Sequence, residues 1–214
     1  MSVIHKLYGR ALPRALQSYH RYLIFVAVLF ITCMAVGFTG YRPSPDGSLP
    51  WALRGLADLA ERLESVPLWQ RVLILFWNNV KVTFISLALG WLLGVVPMVS
   101  TCLNGVVIGM GAKMVMVQSG WSMGMVILSF LPHGVFEIPA FVAGQAIGVR
   151  IGFLTPLAWR GKTTGHDMGR MAAESLTLIG AAILPMLAAA AVLELTLTPA
   201  VIRLISPGWP WAML

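Results

Sequence analysis

An all-α, polytopic membrane bundle of about five spans is the fold class this sequence predicts. Three observations carry that reading. Only 11% of the 214 residues are charged and 58% are hydrophobic, where a soluble domain holds about 25% and 45–50%. The mean hydropathy is +0.82. Apolar runs able to cross roughly 30 Å of hydrocarbon recur along the chain, punctuated by Gly, Pro and Asn.

The elements follow in order. Residues 1–21 are basic and weakly amphipathic, with Lys6, Arg10, Arg14 and Arg21. They lead into YLIFVAVLFITCMAVGFTG (22–40), the first span. Its apolar run exceeds the roughly 7–15 residues of a signal-peptide core, so an uncleaved span is expected. After a turn-rich loop at 41–50, residues 51–66 place Leu53, Leu56, Leu59, Leu63 and Val66 at helical spacing. Arg54, Asp58, Glu61, Arg62 and Glu64 fall opposite, which predicts a short amphipathic helix at the interface or capping the bundle.

The second span is expected over 68–98, ending near Pro97, with a tight turn at STCLNG (100–105). The third then reaches about residue 118, and Gly120 and Ser122 mark the next turn. The fourth is expected from about 121 to 152. A helix of that length, about 48 Å, exceeds a simple crossing, so Pro132 with Gly134 is expected to kink or break it. Residues 153–170 read as a polar, turn-rich loop and 172–196 as the fifth span. Residues 22–201 thus form one bundle domain, and the tail 202–214 carries tryptophans suited to a membrane interface.

The net charge is +7, but the basic residues are scattered and cluster beside the spans. That distribution excludes a phosphate-binding face, and no nucleic-acid partner is expected. Lys6, Arg10, Arg14 and Arg21 agree with Arg150, Arg160, Lys162 and Arg170 in placing the N-terminus in the cytoplasm. Five crossings then put the 41–66 segment and the C-terminus outside. Cys33 and Cys102 lie in apolar segments without metal or redox spacing.

Small and polar residues form stripes. In span two, Asn79, Thr83, Ser86, Gly90, Gly94 and Pro97 recur every three or four residues. Asn104, Gly105, Gly109 and Ala112 do so in span three; in span four His133, Glu137, Ala140, Gly144 and Gly148 share a face. In lipid, such stripes mark close helix packing. The faces of Gly90 and Gly94 and of Gly144, Gly148 and Gly152 offer enough packing surface to motivate a homodimer as well. Asn78, Asn79, Lys81, Asn104, Lys113, His133, Glu137 and Glu194 are expected as an intramembrane polar core. Lys113 is the expected ion partner of Glu137 or Glu194, Lys81 is free to snorkel, and amides are expected to serve carbonyls freed by Pro132 and Pro139.

FWNNVKVTFISLALG (76–90), LNGVVIGMG (103–111), LPHGVFEIPAFVAGQAIG (131–148) and LELTLTPAV (193–201) resemble, in order and spacing, the signature blocks of the stage II sporulation protein M family. The resemblance covers most of residues 70–201. It implies a multi-pass inner-membrane scaffold in contact with membrane lipids, acting with partner proteins that remodel septal peptidoglycan during engulfment.

Three function classes compete on the residues themselves. An enzyme would use His133 and Glu137. HxxxE supplies two helical ligands where zinc needs about three or more, and no nucleophile set accompanies it. No catalytic residue, metal or cofactor is therefore assigned. A small-solute or ion transporter would use the same buried charges, as a homo-oligomer since no inverted repeat is present. A non-enzymatic scaffold uses them as polar glue, and the resemblance favours it.

Overall fold

The computed structural model describes residues 3–207 apart from residue 47. Six helices are found there: α1 Ile4–Gly40, α2 Trp51–Glu64, α3 Leu68–Trp91, α4 Val95–Ser119, α5 Met123–Trp159 and α6 Gly165–Ile205. All but α2 are long and apolar enough to cross a membrane. Two wide π turns, Leu7–Ala11 and Ile179–Ile183, interrupt the α-geometry of α1 and α6. The tail beyond Pro207, with its expected interfacial tryptophans, lies outside the described residues.

Two boundaries differ from the sequence expectation. The turn between α3 and α4 is at Leu92–Gly94 and not at 100–105, which is helical. Leu93 and Gly94 take left-handed backbone angles, φ 55 and 73, a conformation natural to Gly94. Pro97 therefore opens α4 instead of closing α3; in the first helical turn its missing N–H forfeits no bond. Nor is the fourth span broken at Pro132. Helix α5 runs 37 residues through Pro132, Pro139 and Pro156. In a packed bundle the carbonyls a proline frees are served by neighbours or small local adjustments, so the helix need not stop.

Ends are fixed by local chemistry. Gly120 takes φ 69 after α4, and the Ser122 side chain accepts the Met125 N–H to start α5. The loop between α5 and α6 is far shorter than 153–170, because Thr164 and Asp167 form a reciprocal capping box that starts α6 at Gly165.

Helix α5 is the hub. Its residues from Ala140 to Val149 are all buried, packed against α1, α3, α4 and α6. An apolar helix buried on every face belongs at the centre of a bundle. Tyr19, Ile147, Leu178, Ile183 and Leu187 form the largest cluster around it. The glycine stripes are used within this single chain. Gly37, Gly105 and Gly109 bring the α1 and α4 backbones together, while Gly90 meets Gly148 and Gly94 meets Gly152. The glycine faces expected to invite a second copy thus face inward. Ile24, Val28, Ile31 and Val36 of α1 point outward, as a lipid-facing side does.

The 41–50 loop has its own anchor. The Asp46 carboxylate accepts hydrogen bonds from the Ser44 and Ser48 hydroxyls and from the Ser48 N–H. These bonds hold Asp46 down to about 2, from an ordinary 3.8. A depressed carboxyl contributes order that is present above the ordinary value and lost as pH falls through the lowered one. Protection of the Ser48 amide, taken relative to its intrinsic exchange rate at each pH, should therefore be lost between about 4 and 2 in wild type. Asp46→Asn should remove that pH dependence; an unchanged profile in this variant contradicts the anchor.

Candidate functional site

Helical spacing builds the site. His133 and Glu137 are i and i+4 on α5, and Glu194 and Thr198 are i and i+4 on α6, so each pair lies on one face. The two faces meet: His133 Nδ1 lies 3.0 Å from Thr198 Oγ1. All four side chains line a cavity of about 600 Å³. Its roof is the apolar face of α2, including Leu53, Leu56 and Leu63, and α4 adds Val107, Ile108 and Met114. Counted along α5, Glu137 is about 21 Å in from Met123. A smaller chamber of about 130 Å³ adjoins, lined by Asn78, Asn79 and Asn104. Glu137, Ile138, Leu56, Val107 and Ile108 line both. Glu137 therefore stands where the two chambers join.

Both glutamates are half-buried and close enough to feel each other's charge. At the mouth lie Glu61, Glu64 and Arg71. The Arg71 guanidinium donates to the carbonyls of Val66 at 2.8 Å and Glu64 at 3.3 Å, which ties it to the α2–α3 turn.

The two lysines of the expected cluster go elsewhere. Lys113 does not pair with Glu137 or Glu194; its Nζ sits 5.1 Å from the Phe38 ring centroid. The reason is register. Residues 105, 109 and 113 are four apart, so Lys113 extends the glycine stripe that faces α1. Lys81 is exposed on α3. Asn104 lines the small chamber and also donates back to the Ser100 carbonyl at 2.8 Å.

Sequence reasoning missed a second polar centre at the opposite end. Arg150 Nη1 is 2.9 Å from Glu174 Oε2, with side chains only 11% and 18% exposed. Ser18 donates to the same oxygen at 2.8 Å, and the Arg150 guanidinium lies 4.3 Å over the Tyr19 ring. Tyr19 Oη in turn is 2.7 Å from Ser175 Oγ. Helices α1, α5 and α6 are thus pinned together by one charged knot. Positive-inside counting assigns Arg150 only a topology role. The available signal was an arginine inside a glycine-rich apolar run, which requires a buried acid. Nearer the middle, Ser86 donates to the Gln145 side-chain oxygen, while the Gln145 amide nitrogen is buried with no partner among the described residues.

The arrangement has a clear division. One half of the bundle holds an apolar cavity floored by two carboxyls. The other half holds the Gly90–Gly148 and Gly94–Gly152 backbone contacts and the Arg150 knot. Among the described residues no three His, Cys, Asp or Glu side chains converge as a metal set.

A family model described as stage II sporulation protein M matches residues 22–199. That range takes in the second half of α1, all of α2 to α5 and α6 as far as Pro199, including both glutamates. Comparisons with curated proteins and with solved structures returned no match. With five membrane-length helices and a match across most of its length, this multi-pass membrane protein belongs to the stage II sporulation protein M family.

Proposed function

We propose that the chain is a non-enzymatic scaffold of the cell's inner membrane, presenting α2 outside the cytoplasm to partner proteins that remodel the cell wall. The N-terminus is cytoplasmic and the C-terminus extracytoplasmic in this reading, which the basic residues at 6–21 and at Arg160, Lys162 and Arg170 support. One observation carries it: the spans are joined by direct backbone contact at Gly90–Gly148 and Gly94–Gly152. Helices so joined form a fixed platform, since packed contacts of this kind have little room to slide. Helix α2, by contrast, has α4 as its principal neighbour and leaves Trp51 and Arg54 exposed, an amphipathic ledge for a partner.

The cavity favours a second reading, transport of a small solute or ion. The closed end weighs against it, because the cavity floor is separated from the N-terminal side by the glycine contacts and the Arg150 knot. The homodimer expected for that reading finds no support in the glycine stripes, which are occupied.

The test is a photo-crosslinking residue in place of Arg54, exposed on α2, in native membranes. The scaffold reading expects a discrete adduct with a cell-wall-remodelling protein, both in wild type and in Glu137→Gln. Glutamine keeps the shape and hydrogen bonding of the glutamate, so recruitment should persist. No adduct, together with proteoliposome solute flux that Glu137→Gln abolishes, establishes transport instead.

A further inference from the structure

We propose that the cavity beneath α2 is a binding site for a lipophilic organic cation, with the charge held at Glu137 and Glu194 and the apolar body against α2 and α4. The inference is independent of the scaffold reading. The cavity's volume of about 600 Å³ is that of a small-molecule site, which typically spans about 300–1,000 Å³ and is mostly apolar with a few placed polar groups. Leu53, Leu56, Val107, Ile108, Met114 and Ile138 supply the apolar wall.

The floor gives the chemical class. Two carboxyls from different helices line one cavity and interact, and among the described residues no Lys or Arg forms an ion pair with either. Lys113 lies over Phe38, Arg150 holds Glu174, Lys81 is exposed on α3, and Arg71 is bound to carbonyls at the mouth. His133 is engaged with Thr198. Carboxylates in apolar surroundings are costly without a counter-charge. A cation that brings its own apolar surface satisfies the floor and the walls together. An anion of the same shape meets the two carboxyls of the floor and two more at Glu61 and Glu64, against the single cation of Arg71 at the mouth.

The experiment uses the full chain in nanodiscs of zwitterionic lipid, with radiolabelled tetraphenylphosphonium as the probe. Tetraphenylborate, of the same shape and opposite charge, is the comparator, and empty nanodiscs give the partition background. Saturable binding of the cation at one site per chain is expected, with no saturable binding of the borate. Glu137→Gln and Glu194→Gln should each weaken the cation, and together weaken it by about tenfold or more, with the melting temperature recorded for each variant. The cation–anion comparison on wild type needs no variant, so a variant that misfolds leaves the test intact. Equal binding of cation and borate, no saturable binding above empty nanodiscs, or cation binding unchanged in a folded double variant overturns the proposal.

Discussion

Gly152→Ala is expected to destabilise the bundle by about 3 kcal/mol or more, whereas Gly169→Ala should be neutral or stabilising. A Cβ on Gly152 would sit 2.5 Å from the Leu93 carbonyl carbon and closer still to the Gly94 backbone. Backbone atoms cannot rotate aside as a side-chain tip can. Gly94 is itself held at φ 73 in the α3–α4 turn, so relief requires moving the whole hairpin off α5. Overpacking in a well-filled core costs about 1–3 kcal/mol and occasionally more, and this site belongs at the upper end because both sides of the clash are main chain. At Gly169 an added Cβ meets nothing within 4 Å, and alanine gains about 0.5–1 kcal/mol of helix preference. Thermal unfolding in detergent, followed by circular dichroism and size-exclusion, separates the two. Equal melting temperatures for Gly152→Ala and wild type contradict the backbone weld.

The second large effect is expected at the charged knot. Glu174→Ala leaves Arg150, 11% exposed, without its acid. Breaking a buried pair by removing one partner costs about 3–5 kcal/mol, because the remaining charge is stranded. The Arg150 guanidinium still lies over the Tyr19 ring, so the loss should not exceed that range. Replacing both partners, Arg150→Met with Glu174→Leu, should recover most of it, since no charge then remains buried. A double-mutant cycle on unfolding free energy is the measurement. A double variant less stable than either single one refutes a stranded-charge origin.

How far the sequence reached depends on which physical signal each feature leaves. Spans are legible because lipid demands long apolar runs, and α2 because its leucines keep helical spacing. The α3–α4 turn was misplaced because Pro97 and Asn104 are turn formers in water, yet Pro97 also suits the first turn of a helix and Asn104 bonds Ser100 within one. The turn signal that mattered was Gly94, which permits positive φ. Pro132 differs from expectation for a related reason: proline removes one helical bond, and the turns of α5 on either side of it carry the helix on.

In the site, i and i+4 spacing placed His133 with Glu137 and set both toward the interior, and pairing across helices was the harder step. Lys113 was assigned to the glutamates by depth alone, while its register with Gly105 and Gly109 turns it to α1. Depth ranks residues along a span; register decides which neighbour they meet. The Arg150–Glu174 knot needed both, because its partners are far apart in sequence and join only when α1, α5 and α6 converge.

In this reading the bundle is a fixed platform whose cavity, roofed by α2, is reached from the α2 side and not from the N-terminal end. Gly134 lines that cavity, and a Cβ there meets only the end of the Ile138 side chain, at 3.8 Å. Gly134→Cys in a background of Cys33→Ala and Cys102→Ala places a single thiol on the wall. A membrane-impermeant thiol reagent, applied separately to each face of oriented vesicles, reads its access. Labelling from the α2 side alone is the expected result, and labelling from the N-terminal side contradicts the sealed platform.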